Sequence, residues 1–398
     1  MIFFYFVGGP LKKFRDKFGM LLQLLIVAAV AVITLCIMFR GDEAHKILHH
    51  LKRAKKGWIV LAAAAMIFFV FVESVQLKIM FTGMKQKISL WKCFLLSNVE
   101  YFFAQITPGA SGGQPIQMVY MSRLGVDVLV GALACMMVAV MYKAAFLTIF
   151  IVALIFRTEL VLGSISRVPI LFSIGVLFQL ISITAILLCI FRPSIASAAV
   201  KGIINIGAKL RIVKHPSQAL TKADNSILMY REGSSFLKNN KWVVFRMFLY
   251  TIAQRLAYFS VTYFVAKALG VHHVDWLSVV SVQAILSLSV DMLPIPGAAG
   301  ANEAVFVNLQ RKLFHESMMG AGLLLNRGIT YYFLLMSCGV FTIFANIIAG
   351  KKKKKERLEE AIEPVPVVVK DIRTEAGAPT EELAKKPEPP DPDPIERG

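Results

Sequence analysis

Apolar residues in this chain gather in long, nearly unbroken runs instead of alternating with polar ones. The runs cover roughly 18–39, 58–81, 128–156, 168–191, 242–268 and 317–349. Each is at least as long as the roughly 20 residues of helix that cross the hydrocarbon core of a bilayer. A helix satisfies its own backbone hydrogen bonds, as a lipid-exposed segment must. The pattern therefore predicts six full transmembrane helices.

Two further apolar runs are broken. Residues 93–107 run into Thr107-Pro108-Gly109-Ala110-Ser111-Gly112-Gly113, and residues 276–293 run into Pro294-Ile295-Pro296-Gly297-Ala298-Ala299-Gly300-Ala301. Proline and glycine at this density stop a helix, and helix-compatible sequence resumes after each break. The expectation is two re-entrant helical hairpins, at about 93–122 and 276–310. The breaks also resemble each other: Pro108 to Gly113 aligns with Pro296 to Ala301, with four of six positions identical.

Charge then orients the spans. Loop 192–241 carries nine basic residues against two acidic ones, Asp224 and Glu232, and Lys351 to Lys355 follow the last span. Positive residues mark the cytoplasmic side, so both segments and both termini are expected there. In that arrangement span 58–81, the first hairpin and span 128–156 form one unit. Span 242–268, the second hairpin and span 317–349 form the same unit upside down, an inverted repeat with broken helices meeting near mid-membrane. The expected class is an all-α polytopic membrane protein. One segment disagrees. Loop 40–57 falls outside in this topology, yet it holds six basic residues against Asp42 and Glu43. Either it is a basic amphipathic segment on the outer surface, or the first span is misassigned.

The expected organisation is a basic cytoplasmic N-terminus (1–17), a membrane domain (18–349) and a cytoplasmic tail (350–398). The first run is longer than a signal-peptide core and has no evident cleavage site, so it is expected to be retained. Residues 194–210 suit an amphipathic helix on the cytoplasmic leaflet. The tail, rich in Glu, Lys and Pro, cannot bury a core.

Composition adds detail. Hydrophobic residues make up 57% of the chain, against about 45–50% in ordinary soluble domains, and mean hydropathy is +0.64. The net charge of +19 sits beside the spans, which points to anionic lipid and not to nucleic acid. The five cysteines are scattered through apolar runs, against a disulfide framework or a metal site. No nucleotide-binding loop, serine elbow or dinucleotide fingerprint occurs, so no catalytic residue, metal or cofactor is expected, and transport would be passive, ion-driven or driven by a partner.

Chemistry is expected at the breaks and at charges within the apolar runs. Non-helical backbone at membrane depth needs protein or water around it, so the hairpins should line a cavity. Gly109, Gly112, Gly113, Gly297 and Gly300 permit either close approach of a ligand or tight hairpin packing. Helices restarting after each break present free N–H groups that favour anions such as phosphate. Charges inside spans are costly and are functional or paired; they are Glu73, Lys143, Arg246, Arg255, Asp291, Glu303 and Arg327. Arg255 and Arg327 suit a lipid phosphate, since a guanidinium donates in a fork. Glu73, Asp291 and Glu303 suit a cationic headgroup, or pairing with these arginines. Snorkelling or structural pairing explains Lys143 and Arg246 equally well.

The combination of Pro108-Gly109-x-x-Gly112-Gly113 with Leu293-Pro294-x-Pro296-Gly297-x-x-Gly300-x-x-Glu303 resembles the lysylphosphatidylglycerol synthase transmembrane family. That family includes the flippase-like region of the multiple peptide resistance factor. The resemblance spans roughly residues 18–349. It departs from the family pattern at Ala298 and Asn302, where a glycine and a basic residue are common, and at Gln114 and Gln117, where an acidic and a basic residue are common. It implies translocation of lysyl-phosphatidylglycerol or a related phospholipid between leaflets of a bacterial plasma membrane, contributing to resistance against cationic antimicrobial peptides. The partners it implies are anionic or aminoacylated phosphatidylglycerol, a separate lipid aminoacyltransferase, and a second copy of the chain in a homo-oligomer. Two alternatives stand beside it: a lysyl-tRNA-dependent phosphatidylglycerol lysyltransferase or its membrane subunit, and a membrane scaffold for envelope lipid enzymes. The tail after residue 349 is shorter than the soluble domain that lysyl transfer needs, so that step is expected in a separate protein.

Overall fold

A computed structural model describes residues 43–362, apart from 193, 196, 199, 200, 203, 206–229, 292, 294, 296, 312 and 313. The expected first span, 18–39, the N-terminal segment, most of the 194–210 helix and the end of the tail lie outside the described residues. The chain divides into two compact units, 1–354 and 355–398. Among its described residues the second consists of the end of the last helix.

The described residues are helical and contain no β-strand. In chain order the helices are α1 (Glu43–Arg53), α2 (Lys56–Gly83), α3 (Leu90–Ile106), α4 (Gly113–Arg123), α5 (Val128–Phe156), α6 (Thr158–Ile165), α7 (Pro169–Phe191), α8 (Lys241–Ala268), α9 (Trp276–Val290), α10 (Ala301–Gln310) and α11 (Glu316–Arg327). A π-helix (Gly328–Phe333) then leads without interruption into α12 (Leu334–Ile362). Local chemistry sets several starts. Asp127 caps α5 by accepting from the Leu129 N–H at 2.8 Å. Asp275 caps α9 through the Ser278 N–H at 3.0 Å, and Pro169 opens α7, where its missing N–H costs nothing.

Four segments are long and apolar enough to cross a membrane: Lys56–Gly83, Val128–Phe156, Pro169–Phe191 and the continuous Ser317–Ala349. They correspond to four of the expected spans. The expected span 242–268 is the 28-residue helix α8. It has the length of a span but not the apolarity, because Gln254, Arg255, Thr251, Ser260 and Thr262 turn inward and are buried. Residues 43–53 of the basic loop form the amphipathic α1, which buries Ile47 against Gly320 of α11.

The ends of the helices fix their directions. At one end, the Lys55 N–H at the start of α2 donates to the Ala268 carbonyl at the end of α8 (2.9 Å). Arg157, after α5, pairs there with Asp275, before α9 (2.9 Å). Arg167, before α7, donates to the Asn308 carbonyl near the end of α10 (2.9 Å). The α9–break–α10 element therefore opens at this end. The α3–break–α4 element opens at the other: Lys78, near the end of α2, donates to the Ile88 carbonyl before α3 (2.8 Å), and Met121 near the end of α4 packs on Gly131 at the start of α5.

Apolar cores fill both ends. One gathers Leu77, Met80, Phe81, Leu96, Leu133 and Met247; the other gathers Met66, Val265, Val279, Val282, Phe306 and Leu323. Between them lie buried polar side chains that include Glu73, Gln76, Gln117, Gln254 and Arg255. Charged side chains inside spans are costly, which makes this group a candidate site.

Candidate functional site

The two breaks meet beside Arg255 of that group. Gly109 and Ala110 both adopt left-handed backbone conformation, with φ of 58° and 54°; Gly297 and Ala298 do the same, with φ of 57° and 48°. Two consecutive left-handed residues are rare, and alanine reaches that region only at a cost. The aligned sequence motifs therefore fold into matching turns. In the first turn Thr107 acts as a latch: its hydroxyl donates to the Phe103 carbonyl (2.7 Å) and accepts the Gly112 N–H (2.9 Å). All four turn residues line one cavity of about 180 Å³.

Other wall residues come from the middle of long helices, among them Phe69 of α2, Tyr142 of α5, and Arg255 and Tyr258 of α8. A second cavity, of about 680 Å³, adjoins it and shares Tyr101, Ala104, Gly109, Ala110, Tyr142 and Asp291. Its walls include Glu73, Glu100, Lys143 and, from α7, Gln179, Ser182, Ala185 and Ile186.

Arg255 is the central cation. Only 2% of it is exposed. Its guanidinium lies 3.9 Å from the ring centre of Tyr142 and 4.4 Å from that of Phe69, held between two aromatic faces. Among the described residues it makes no ion pair, and its buried Nε and Nη2 have no hydrogen-bond partner. A buried donor without a partner costs about 1–3 kcal/mol, more for a charged group. Each cation–π contact returns about 2 kcal/mol when desolvated. The rings hold the cation in place but leave its N–H groups unsatisfied.

Arg327 is built differently. Its Nε donates to Glu303 Oε1 at 2.7 Å and its Nη2 to the Gly297 carbonyl at 3.1 Å. The other oxygen of Glu303 accepts the Gly300 N–H at the start of α10. The pair therefore ties the second turn to α11, just where the π-helix begins, and π-helical turns recur at functional sites. Tyr331 completes the clamp, its ring 4.7 Å from the Arg327 guanidinium and its hydroxyl donating to the Gln105 carbonyl beside the first turn (3.3 Å).

The structure thus separates the predicted residues. It brings Glu303 and Arg327 together as a pair, with Gly297 and Gly300 in the same turn. It places Arg255 beside Tyr142, whose hydroxyl donates to Asp291 (3.1 Å). Glu73 lies apart from Glu303: its carboxyl is within hydrogen-bonding reach of Glu100, Tyr101 and Ser97, and Gln117 donates to it at 3.5 Å. Gly112 and Gly113 serve packing, since a Cβ at either would meet Thr107 (2.5 Å) or the Glu100 carbonyl (2.9 Å). Lys143 donates to Gln179 (3.2 Å) across the larger cavity, and Arg246 is exposed. Glu100 and Tyr142 are additions. Glu100 carries the same signal as Glu73, a carboxyl inside an apolar run, but it sits in a segment whose proline–glycine break draws attention first. Tyr142 had no sequence signal, being one aromatic among many.

No cluster of three or more metal-binding side chains occurs among the described residues. Residues 20–338 match the family described as the lysylphosphatidylglycerol synthase TM region. The chain is also similar to a UPF0104 membrane protein of Archaeoglobus fulgidus, 22% identical over 334 residues, covering 82% of this chain and 98% of the relative. With most of its length matched, its described residues mainly helical and four helices of membrane length among them, this multi-pass membrane protein belongs to the lysylphosphatidylglycerol synthase transmembrane-region family.

Proposed function

We propose that this protein translocates a phospholipid headgroup between leaflets through the joined mid-bundle cavities, with Arg255 holding the lipid phosphate. The observation that carries this reading is Arg255 itself: a buried cation lining a cavity, with no ion pair among the described residues and with Nε and Nη2 unsatisfied. A phosphate supplies both the missing charge and the missing acceptors, and a guanidinium fork suits it. Glu303 and Arg327 hold the second turn closed against α11 and so shape the cavity.

In this reading the chain has six spans, including 18–39 and α8, and the two broken elements are re-entrant hairpins entering from opposite leaflets. Their opening at opposite ends of the bundle and their matching left-handed turns support the inverted repeat. Wall residues on α7 give the acyl chains a lateral path, because α7 is the least enclosed of the four apolar helices, with 17% of its most apolar stretch buried. The basic loop 192–241 and both termini are cytoplasmic, in a bacterial plasma membrane. The family description points to lysyl-phosphatidylglycerol, and in this reading its amine meets Asp291, which lines both cavities. A separate aminoacyltransferase would make that lipid, and its display on the outer leaflet would lower sensitivity to cationic antimicrobial peptides.

The test is headgroup movement in liposomes containing the purified protein, comparing lysyl-phosphatidylglycerol with phosphatidylglycerol. Acceleration of either over protein-free liposomes supports translocation, and the faster lipid names the headgroup. No acceleration by folded protein sinks the reading.

A further inference from the structure

The larger cavity holds a feature that phosphate binding does not use. Glu73 on α2 and Glu100 on α3 both line it, with their carboxyls within hydrogen-bonding reach of each other. Glu73 is 2% exposed. Ionised carboxylates only accept hydrogen bonds, so a bond between the two requires that one carries a proton. Two negative charges this close, one of them on the buried Glu73, repel, which favours the shared-proton state over double ionisation.

A pair of acids is not in itself a site. The independent observation is Arg255, whose charge acts on both carboxyls while its own Nε and Nη2 stay unpartnered. The other titratable groups that bear on the pair are Tyr101 beside it on α3, Cys135 on α5 and Cys338 on α12, which feels Glu73. Asp291 and Lys143 also line the larger cavity and carry opposite charges, while Arg255 lines the adjoining one. With one shared proton on the carboxyl pair, the groups Glu73, Glu100, Asp291, Lys143 and Arg255 sum to zero net charge. An anion arriving on Arg255 makes the set negative, and a second proton on the carboxyl pair restores neutrality.

We propose that Glu73 and Glu100 form a proton-binding site coupled to anion occupancy of Arg255, so that protons are the driving ion for this protein. The coupling rests on the proposed lipid-phosphate role of Arg255; the proton site does not. One proton from water adds to a carboxylate oxygen as the anion binds and returns to water as it leaves. No electrons move and no covalent bond other than O–H forms or breaks. The Gln117 amide, which donates to Glu73 and to the Leu96 carbonyl (3.3 Å), orients the pair.

Two measurements on the detergent-purified full chain test this. Infrared difference spectra between wild type and Glu100→Gln, and between wild type and Glu73→Gln, should each show loss of a protonated-carboxyl stretching band that is present at neutral pH and shifts in heavy water. Absence of that band from wild-type protein overturns the proton site, whatever the lipid assay shows. The second is lipid movement by wild-type protein in liposomes with an imposed pH gradient and the membrane potential clamped at zero. One-to-one coupling changes the leaflet ratio of an anionic lipid by up to about tenfold per pH unit. A ratio that ignores the gradient while lipid still moves overturns the coupling and leaves the translocase standing. Failure of lipid to move at all removes the translocase and the coupling together, while the infrared band decides the proton site alone.

Discussion

The guanidinium of Arg255 lies 3.9 Å from the ring centre of Tyr142, and the Tyr142 hydroxyl donates to Asp291 at 3.1 Å. Through one ring, the buried cation of α8 is joined to the carboxylate that ends α9, and both face the cavity between the two turns. The arrangement holds a guanidinium at the centre of the bundle whose Nε and Nη2 have no hydrogen-bond partner. Such a charge is a burden on stability and an asset only to a ligand.

That separation of stability from function is measurable. Replacing a buried guanidinium that makes no ion pair among the described residues with an apolar group of similar length removes a desolvation cost of several kcal/mol and forfeits cation–π contacts worth about 2 kcal/mol each. Arg255→Met is therefore expected to leave the melting temperature in detergent unchanged or raised. A fall of more than a few degrees would assign Arg255 to structure.

Arg327 should behave in the opposite way. Its side chain and that of Glu303 are 10% and 14% exposed, so removing either partner strands a buried charge, at a cost of about 3–5 kcal/mol. Arg327→Met and Glu303→Gln should each lower the melting temperature sharply, and the double variant should recover part of the loss. A double variant as unstable as the sum of the singles would show that the two do not act as a pair.

Gly175 sets how closely α7 approaches α9. A Cβ built there would sit 1.7 Å from the Leu288 carbonyl oxygen, far inside contact distance and against backbone that cannot swing away. Gly175→Ala should destabilise by about 1–3 kcal/mol through overpacking and displace α7 from the wall of the larger cavity. Gly202, whose surroundings are open, provides the control, since Gly202→Ala should be tolerated. Equal melting temperatures for the two variants would contradict the close approach.

The matching turns make a further prediction. Gly297 combines a φ of 57° with a virtual Cβ only 2.2 Å from the Tyr331 ring, whereas Gly300 combines a φ of 83° with open space. At Gly300 a ψ of −53° makes the positive φ rare and strained, so Gly300→Ala should lose more than the ~1–2 kcal/mol of a left-handed alanine. Gly297→Ala should also exceed that figure, through the Tyr331 clash, and release the Tyr331 link to Gln105. A Gly297→Ala loss confined to about 1–2 kcal/mol in thermal denaturation would argue that Tyr331 does not pack on the turn as described.

Much of this was legible in the sequence because membrane burial leaves coarse marks. The runs at 58–81, 128–156, 168–191 and 317–349 reappear as membrane-length helices because nothing else satisfies their backbone in lipid. The breaks at Pro108 and Pro296 were visible because proline and glycine end helices, and their likeness extends to the backbone angles of Gly109, Ala110, Gly297 and Ala298. Pairing was not legible. Glu303 and Arg327 stand 24 residues apart, and the pairing of Glu73 with Glu100 depends on how α2 and α3 fold together. The sequence shows charges in apolar runs, but not which neutralise each other and which, like Arg255, remain open.

The most direct test of the central claim is the rate of headgroup movement in liposomes for wild type against Arg255→Gln, at matched folding and reconstitution. Charge-assisted hydrogen bonds contribute about 1.5–3 kcal/mol, so the account predicts at least a tenfold slowing for a phosphate-bearing lipid, with Arg255→Lys intermediate. Wild-type speed in Arg255→Gln would contradict it.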